Sequence, residues 1–168
     1  LRGNIMIGTY PLLTNNTTWF VAVDFDGEGW KAEVQAVFSV CKKYKLSAYV
    51  ERSKSGNGAH VWWFFESLYS AAKARSIFLH LLTCSGSIDP LDNAKSFDRI
   101  FPNQDFLSGK GLGNLIALPL QGMARKKNNT VFVDPDHDFS AYEDRWSVLQ
   151  SAQRISTIYL DELFGLFK

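Results

Sequence analysis

Cysteine is scarce. The chain has two among 168 residues, Cys41 and Cys84, and both fall in patterns that read as helix faces. Neither a disulfide framework nor a cysteine metal site is therefore expected, only two buried reduced thiols. Such usage points to a cytoplasmic location. A dominant charge sign is also lacking. The formal net charge of +1 excludes the uniformly basic composition of many nucleic-acid binders but leaves room for a local basic groove beside acidic groups. No apolar run approaches the roughly 20 residues that span a bilayer, and no basic start leads into an apolar signal core, so no membrane partner is expected. Repeats and low-complexity tracts are missing too. What is plentiful is apolar and aromatic: 46% hydrophobic and 14% aromatic residues suffice for a packed globular core. The length suits one domain, residues 1–168. A first residue of Leu1 rather than methionine points to a domain excised from a longer polypeptide.

The pattern is organised around residues 19–26, WFVAVDFD. An apolar run suited to the inside of a sheet ends in two carboxylates one residue apart. Side chains two apart on a strand share a face, so Asp24 and Asp26 point the same way, and a hard divalent cation relieves their repulsion best. Residues 1–16 read as a leading segment with one short apolar piece at 5–7. After Gly27 and Gly29, the residues Trp30, Val34, Val37, Phe38, Cys41 and Tyr44 recur at helical spacing. Residues 47–52 predict a second strand, Ser55-Gly56-Asn57-Gly58 a turn, and 60–65 a third strand, together a hairpin. Helix two covers 69–83, and a fourth strand covers 96–101. Beyond it come a strand at 114–121, a basic turn at Arg125, Lys126 and Lys127, a strand at 130–133, and two closing helices at 142–150 and 156–167.

The predicted order is strand, helix, strand, strand, helix, strand, the split βαβ arrangement of a ferredoxin-like βαββαβ sheet in the α+β class. Right-handed crossovers put strand three between one and two, and strand one between three and four. The end of strand one then meets the starts of strands three and four, which carry His60 and Asp98. Asp24, Asp26, His60 and Asp98 thus converge on one sheet edge. Asp105 lies more than roughly 20 Å beyond Asp98 along an extended strand. Asp89, in the preceding loop, is the reserve third carboxylate, although Asp89-Pro90 also reads as a turn start.

Three carboxylates around a divalent pair can bridge a nucleoside triphosphate and stabilise both oxygens of an in-line displacement. Oxygen ligands select Mg2+ or Mn2+, and one histidine is too little nitrogen for zinc. His60 is cast as a donor to a phosphate oxygen. The two glycines of the 55–58 turn let backbone N–H groups approach an anion, while Arg52 and Lys54 add positive charge. A turn that needs glycine for its dihedrals alone explains the glycines equally well but not the histidine that follows.

Four ordered segments, VDFDG, ERSKSGNGAHVWWFF, SFDRIFPNQD and GNLIALPLQG, together resemble the archaeo-eukaryotic primase superfamily, in particular the primase domain of transposon-linked and phage-linked conflict systems. The resemblance runs from about Ile5 to the final helix. It implies a primase-polymerase for DNA replication: template-directed nucleotidyl transfer on an RNA-recognition-motif-like (RRM-like) sheet joined to a small α/β unit. It implies Asp24, Asp26 and Asp98 as catalytic metal ligands and His60 at the incoming triphosphate. The nucleotide set extends to Arg52, Lys54, Ser55, Gly56, Asn57, Gly58 and Gln121, with Arg125, Lys126 and Lys127 for nucleic acid. Implied partners are a DNA template, a DNA or RNA primer, nucleoside triphosphates and a fused or associated helicase. Two positions depart from the family pattern. Gly58 stands where many relatives have serine, with Ser55 nearby to supply a hydroxyl, and Gln121 stands where relatives have a basic residue.

Two other readings start from the same residues. A haloacid-dehalogenase-like phosphohydrolase also begins with an apolar strand and Asp-x-Asp-Gly and would use Asp24 as nucleophile on a Rossmann-like sheet. A non-catalytic nucleic-acid-binding module would stack bases on Trp62, Trp63, Phe64 and Phe65, although alternation sends at least half of these into the core.

Overall fold

The structure, a computed structural model, describes residues 5–89, 91 and 95–168. Pro90, in the turn expected after Asp89, and the residues before Ile5 lie outside this range. The fold is mixed α/β with a large antiparallel sheet and several helices. Its strands are β1 (Gly8–Thr9), β2 (Thr17–Asp26), β3 (Tyr49–Arg52), β4 (Gly58–Ser70), β5 (Phe97–Phe101), β6 (Ile116–Ala117), β7 (Phe132–Asp134), β8 (Ser140–Ala141) and β9 (Arg154–Ile155). The helices are α1 (Trp30–Lys43), α2 (Ala71–Cys84), α3 (Gly122–Arg125), α4 (Ser147–Ser151) and α5 (Thr157–Leu166). Among the described residues the main sheet runs β5-β2-β4-β3-β7-β8, with β9 lying parallel beside β4. The ladders β2–β4, β2–β5 and β3–β4 are antiparallel. Strand three of the predicted series thus sits between one and two, and strand one between three and four.

Period-two alternation divides β2 and β4 between two layers. Val21, Val23 and Phe25 of β2, with Val61, Trp63 and Phe65 of β4, face the helices and join Trp30, Val34, Val37 and Cys41 of α1 and Ile77, Phe78 and Leu81 of α2 in one buried cluster. Each large side chain fully withdrawn from water contributes roughly 1.5–3 kcal/mol. The α1 face repeats at i, i+4 and i+7, as an amphipathic helix requires. The Ser70 hydroxyl caps α2 by accepting from Lys73 N, and Ser156 caps α5 by accepting from Tyr159 N. On the opposite face Ala22, Trp62, Phe101, Ile116, Phe132 and Val148 form a smaller cluster.

The C-terminal third departs most from the sequence reading. The strand expected at 114–121 shrinks to β6, paired with β1 in a separate two-stranded sheet, because Leu120 turns to a left-handed φ of 62° just after Pro119. The helix expected at 142–150 begins only at Ser147. Ala141 is committed to the β8 ladder with Val133, and Asp144 starts a turn by accepting from Trp146 N at 3.0 Å. No helix among the described residues is long and apolar enough to cross a membrane.

The two thiols separate. Cys41 is buried as expected, whereas Cys84, near the end of α2, is exposed. Burial pushes the Cys41 thiol up to about 11, with a hydrogen bond from Trp63 acting in the opposite sense. The thiolate is the reactive form. At pH 8 a thiol-specific alkylating reagent should therefore modify one cysteine per native chain, Cys84, and both after unfolding in guanidinium; rapid native labelling of Cys41 would contradict this packing.

A second prediction concerns the closest approach of β2 and β4. A Cβ built on Gly58 would lie 2.3 Å from the Phe25 carbonyl oxygen and 2.8 Å from Asp26 Oδ1, so only glycine fits. Gly58→Ser should lower stability by about 1–3 kcal/mol, read as a shifted urea midpoint. An unchanged midpoint would count against this register.

Candidate metal and nucleotide site

Strand register assembles the acidic groups. Asp24 lies opposite His60 in β4 on one side and Arg99 in β5 on the other, and Asp26 lies opposite Gly58. The β5 ladder carries a bulge: Asp24 pairs with Arg99 but Phe25 pairs with Phe97, so Asp98 is the additional residue, and a bulge re-aims its side chain. With regular pairing Asp98 would oppose Phe25 and share its core-facing side. Instead, one carboxylate oxygen from each of Asp24, Asp26 and Asp98 falls within 4.8 Å of the others. The start of β5 is held by two further bonds. Asp26 N donates to Ser96 O at 2.7 Å, and Ser96 N donates to Glu33 Oε1, in the first turn of α1, at 2.6 Å.

The electrostatics are those of a site short of positive charge. Burial raises the Asp24 carboxyl above its ordinary range, and the like charges of Asp26 and Asp98 add to the effect while His60 and Arg99 oppose it. His60 Nε2 sits 3.4 Å from Asp24 Oδ1, and Arg99 Nε donates to Asp98 Oδ2 at 2.6 Å. For His60, burial alone would lower the pKa, but the hydrogen bond and charge of Glu51, with Asp24 and Asp26, raise it overall. These crowded hard oxygen donors, of which Asp24 is partly buried, could hold a divalent metal ion.

The other expected residues divide. Asp89 accepts from Leu91 N, and Asp105 is bonded by Arg75 Nε at 2.6 Å; neither belongs to the acidic group. The hairpin turn does lie against the end of β2, with Gly27 N donating to Asn57 O at 3.0 Å. Its own groups are largely engaged, however. Gly56 N donates to Ser53 O, Asn57 N donates to Ser55 Oγ, and Ser55 Oγ lies 3.0 Å from Ser53 Oγ. Ser55, Gly56 and Asn57 thus form a turn bonded largely within itself, and Gly58 lies at the close approach of the two strands. Arg52 lies on the other face of β3 from Glu51. It pairs with Ala59, on the face opposite His60, and its guanidinium donates to the carbonyls of Asn128 and Phe139. Gln121 is 3% exposed. Its amide donates to Ile7 O and Leu118 O and accepts from Ile7 N, and so ties the leading segment down. Lys54, Lys126 and Lys127 are exposed. The basic turn is brought beside the hairpin turn, because Asn129 Nδ2 donates to Lys54 O at 3.0 Å and Arg52 N donates to Val131 O. Arg125 ends α3 within that turn.

Two residues of the site had no assignment from sequence. Arg99, on β5, lies opposite Asp24 and pairs with Asp98. Glu51 is 1% exposed; its Oε2 lies 3.0 Å from His60 Nδ1 and accepts from Trp62 Nε1 at 3.0 Å. The period-two pattern of 47–52 opposite the His60 strand was the available signal.

The competing readings fare worse. Both neighbours of β2 are antiparallel, whereas a Rossmann-like hydrolase sheet is mostly parallel. Trp63 and Phe65 are in the core and Trp62 is 2% exposed, leaving Phe64 alone of the four aromatics half-buried. A base-stacking platform on these residues is therefore not open.

No curated protein matches the sequence. The sequence model described as the archaeo-eukaryotic primase domain of the TOTE conflict system matches residues 1–163. Primase-type nucleotidyl transfer, with nucleic acid and nucleotides as substrates, is the chemistry that goes with this family. A three-aspartate cluster able to hold a divalent metal, set beside a histidine at the end of the central strand pair, and a match spanning nearly the whole chain place this protein in the TOTE conflict-system archaeo-eukaryotic primase family.

Proposed function

We propose that the chain is a DNA primase-polymerase that transfers nucleotides to a primer under the direction of a DNA template. The observation that carries the reading is the meeting of Asp24, Asp26 and Asp98 oxygens within 4.8 Å, drawn from two strands distant in sequence. Those three residues would hold the divalent metal, Mg2+ or Mn2+, which when bound would polarise the attacking hydroxyl and offset triphosphate charge. His60, beside Asp24, offers a ring nitrogen to a phosphate oxygen. The exposed Lys54, Lys126 and Lys127, with the half-buried Arg125, gather where the basic turn meets the hairpin turn and would serve triphosphate and nucleic-acid phosphates. The strand order β5-β2-β4-β3 agrees with a ferredoxin-like or RRM-like catalytic sheet. The helicase implied by the resemblance is no part of this reading.

Purified protein supplied with a primed template, nucleotides and Mn2+ should extend the primer, and Asp24→Ala or Asp26→Ala should reduce extension by at least about a thousandfold while circular dichroism stays native. Equal extension by wild type and variants would dispose of the assignment. The crowded charges give a second test, independent of turnover. In metal-free buffer Asp24→Asn should raise Tm by roughly 2–4 °C, corresponding to about 1 kcal/mol. Mn2+ should raise the Tm of the wild type and leave the variant unmoved; a variant that melts lower and still responds to metal would refute the site.

A further inference from the structure

Glu51 is a buried carboxylate that the metal site does not use. It lies on β3 directly opposite His60, and Asp24 lies opposite His60 on the other side. The imidazole therefore bridges two carboxylates, with Nδ1 3.0 Å from Glu51 Oε2 and Nε2 3.4 Å from Asp24 Oδ1. Trp62 Nε1 donates to the same Glu51 oxygen at 3.0 Å, and Oε1 has no hydrogen-bond partner among the described residues.

We propose that Glu51 is the positioning residue of the site: it holds the His60 ring by Nδ1, so that Nε2 is the ring nitrogen presented to the acidic cluster and its ligands. A carboxylate is a poor choice for a purely structural task here. Satisfying one indole N–H at a position withdrawn from water needs only a neutral acceptor, and a charge that is 1% exposed carries a large desolvation cost unless paired. The indole N–H can only donate, so Glu51 Oε2 must act as acceptor and is oriented to receive Nδ1–H as well. Without that bond the ring can turn about its outer torsion and exchange a nitrogen for a carbon at the mouth of the site. With it, the contact to an incoming phosphate is organised before the nucleotide arrives.

This role rests on the nucleotidyl-transfer reading, but ring orientation can be measured without it. The chain has three histidines, so His60, His80 and His137 can be separated in 15N-labelled protein by single substitutions. The wild type should show a low-field Nδ1 proton for His60. Glu51→Gln, which keeps the shape, should shift it, and Glu51→Leu, which removes the acceptor, should abolish it. In primer extension both variants should lower kcat/KM by about 10–100-fold, the range for groups that orient a functional histidine. The loss should fall mainly on KM for the nucleotide, with Gln the milder change. In a His60→Ala background Glu51→Gln should cost less than about twofold, because Glu51 then has nothing left to orient. An unmoved His60 resonance, or an undiminished loss in the His60→Ala background, would overturn the proposal. Should Glu51→Leu fail to fold, Glu51→Gln carries both measurements. A wild type with the bonded Nδ1 proton but no extension would defeat the catalytic reading while leaving the orientation in place.

Discussion

The pairing of β2 with β4, in the one register that sets Asp24 against His60 and Asp26 against Gly58, is the constraint on which the rest of the molecule depends. A strand has two faces, and here each has a separate task. One carries Val21, Val23 and Phe25 onto the helices, and the other carries the carboxylates. A slip of one residue would bury aspartate among α1 and α2 and expose the core to water. The apolar side chains that fold the protein therefore also fix the coordinates of its chemistry.

Crowding three carboxylates at a strand end is electrostatically unfavourable without a cation, and the surroundings offset the cost in parts. Arg99 pairs with Asp98, His60 faces Asp24, and Glu51 in turn faces His60 from behind. Asp98 and Asp24 each have a basic group at hand, whereas the three carboxylates still face one another across the cluster. A divalent ion and its anionic ligand would enter a network already arranged by sign. On the proposed reading, function and stability pull in different directions at Asp24, as they do wherever a binding site is held in shape before its ligand arrives.

Much of this was legible from residue patterns. The alternation in WFVAVDFD and HVWWFF, the helical spacing from Trp30 to Tyr44 and the glycine turn at 55–58 gave the order of the sheet, because each is a local signal set by periodicity or dihedral demand. Side-chain direction is harder to read, because it depends on pairing partners that a sequence does not display. Arg52 is next to Glu51, and only the register with Ala59 and His60 decides which of the two faces the site. Charge suggested the arginine, and geometry selected the glutamate. Gln121 was placed by likeness to a strand that the left-handed turn at Leu120 cuts short. Ser55 was read as a free hydroxyl, but a serine in a tight turn tends to bond its own backbone, as it does with Asn57 N. Beyond Gly113, short strands such as β8 and β9 draw their stability from neighbours already in the sheet, and two residues carry too little pattern to be recognised alone.

The bulge in β5 separates two kinds of evolutionary tolerance. Around Asp98 the identities of neighbouring side chains can drift, provided that Phe97 and Ile100 remain apolar enough for the helix side. The spacing cannot drift in the same way. Loss of the Asp98 codon would restore a regular ladder, with Phe97 still opposite Phe25 and Arg99 opposite Asp24, but with one acid too few at the rim. In this strand the count of residues is inherited information of the same rank as their chemistry.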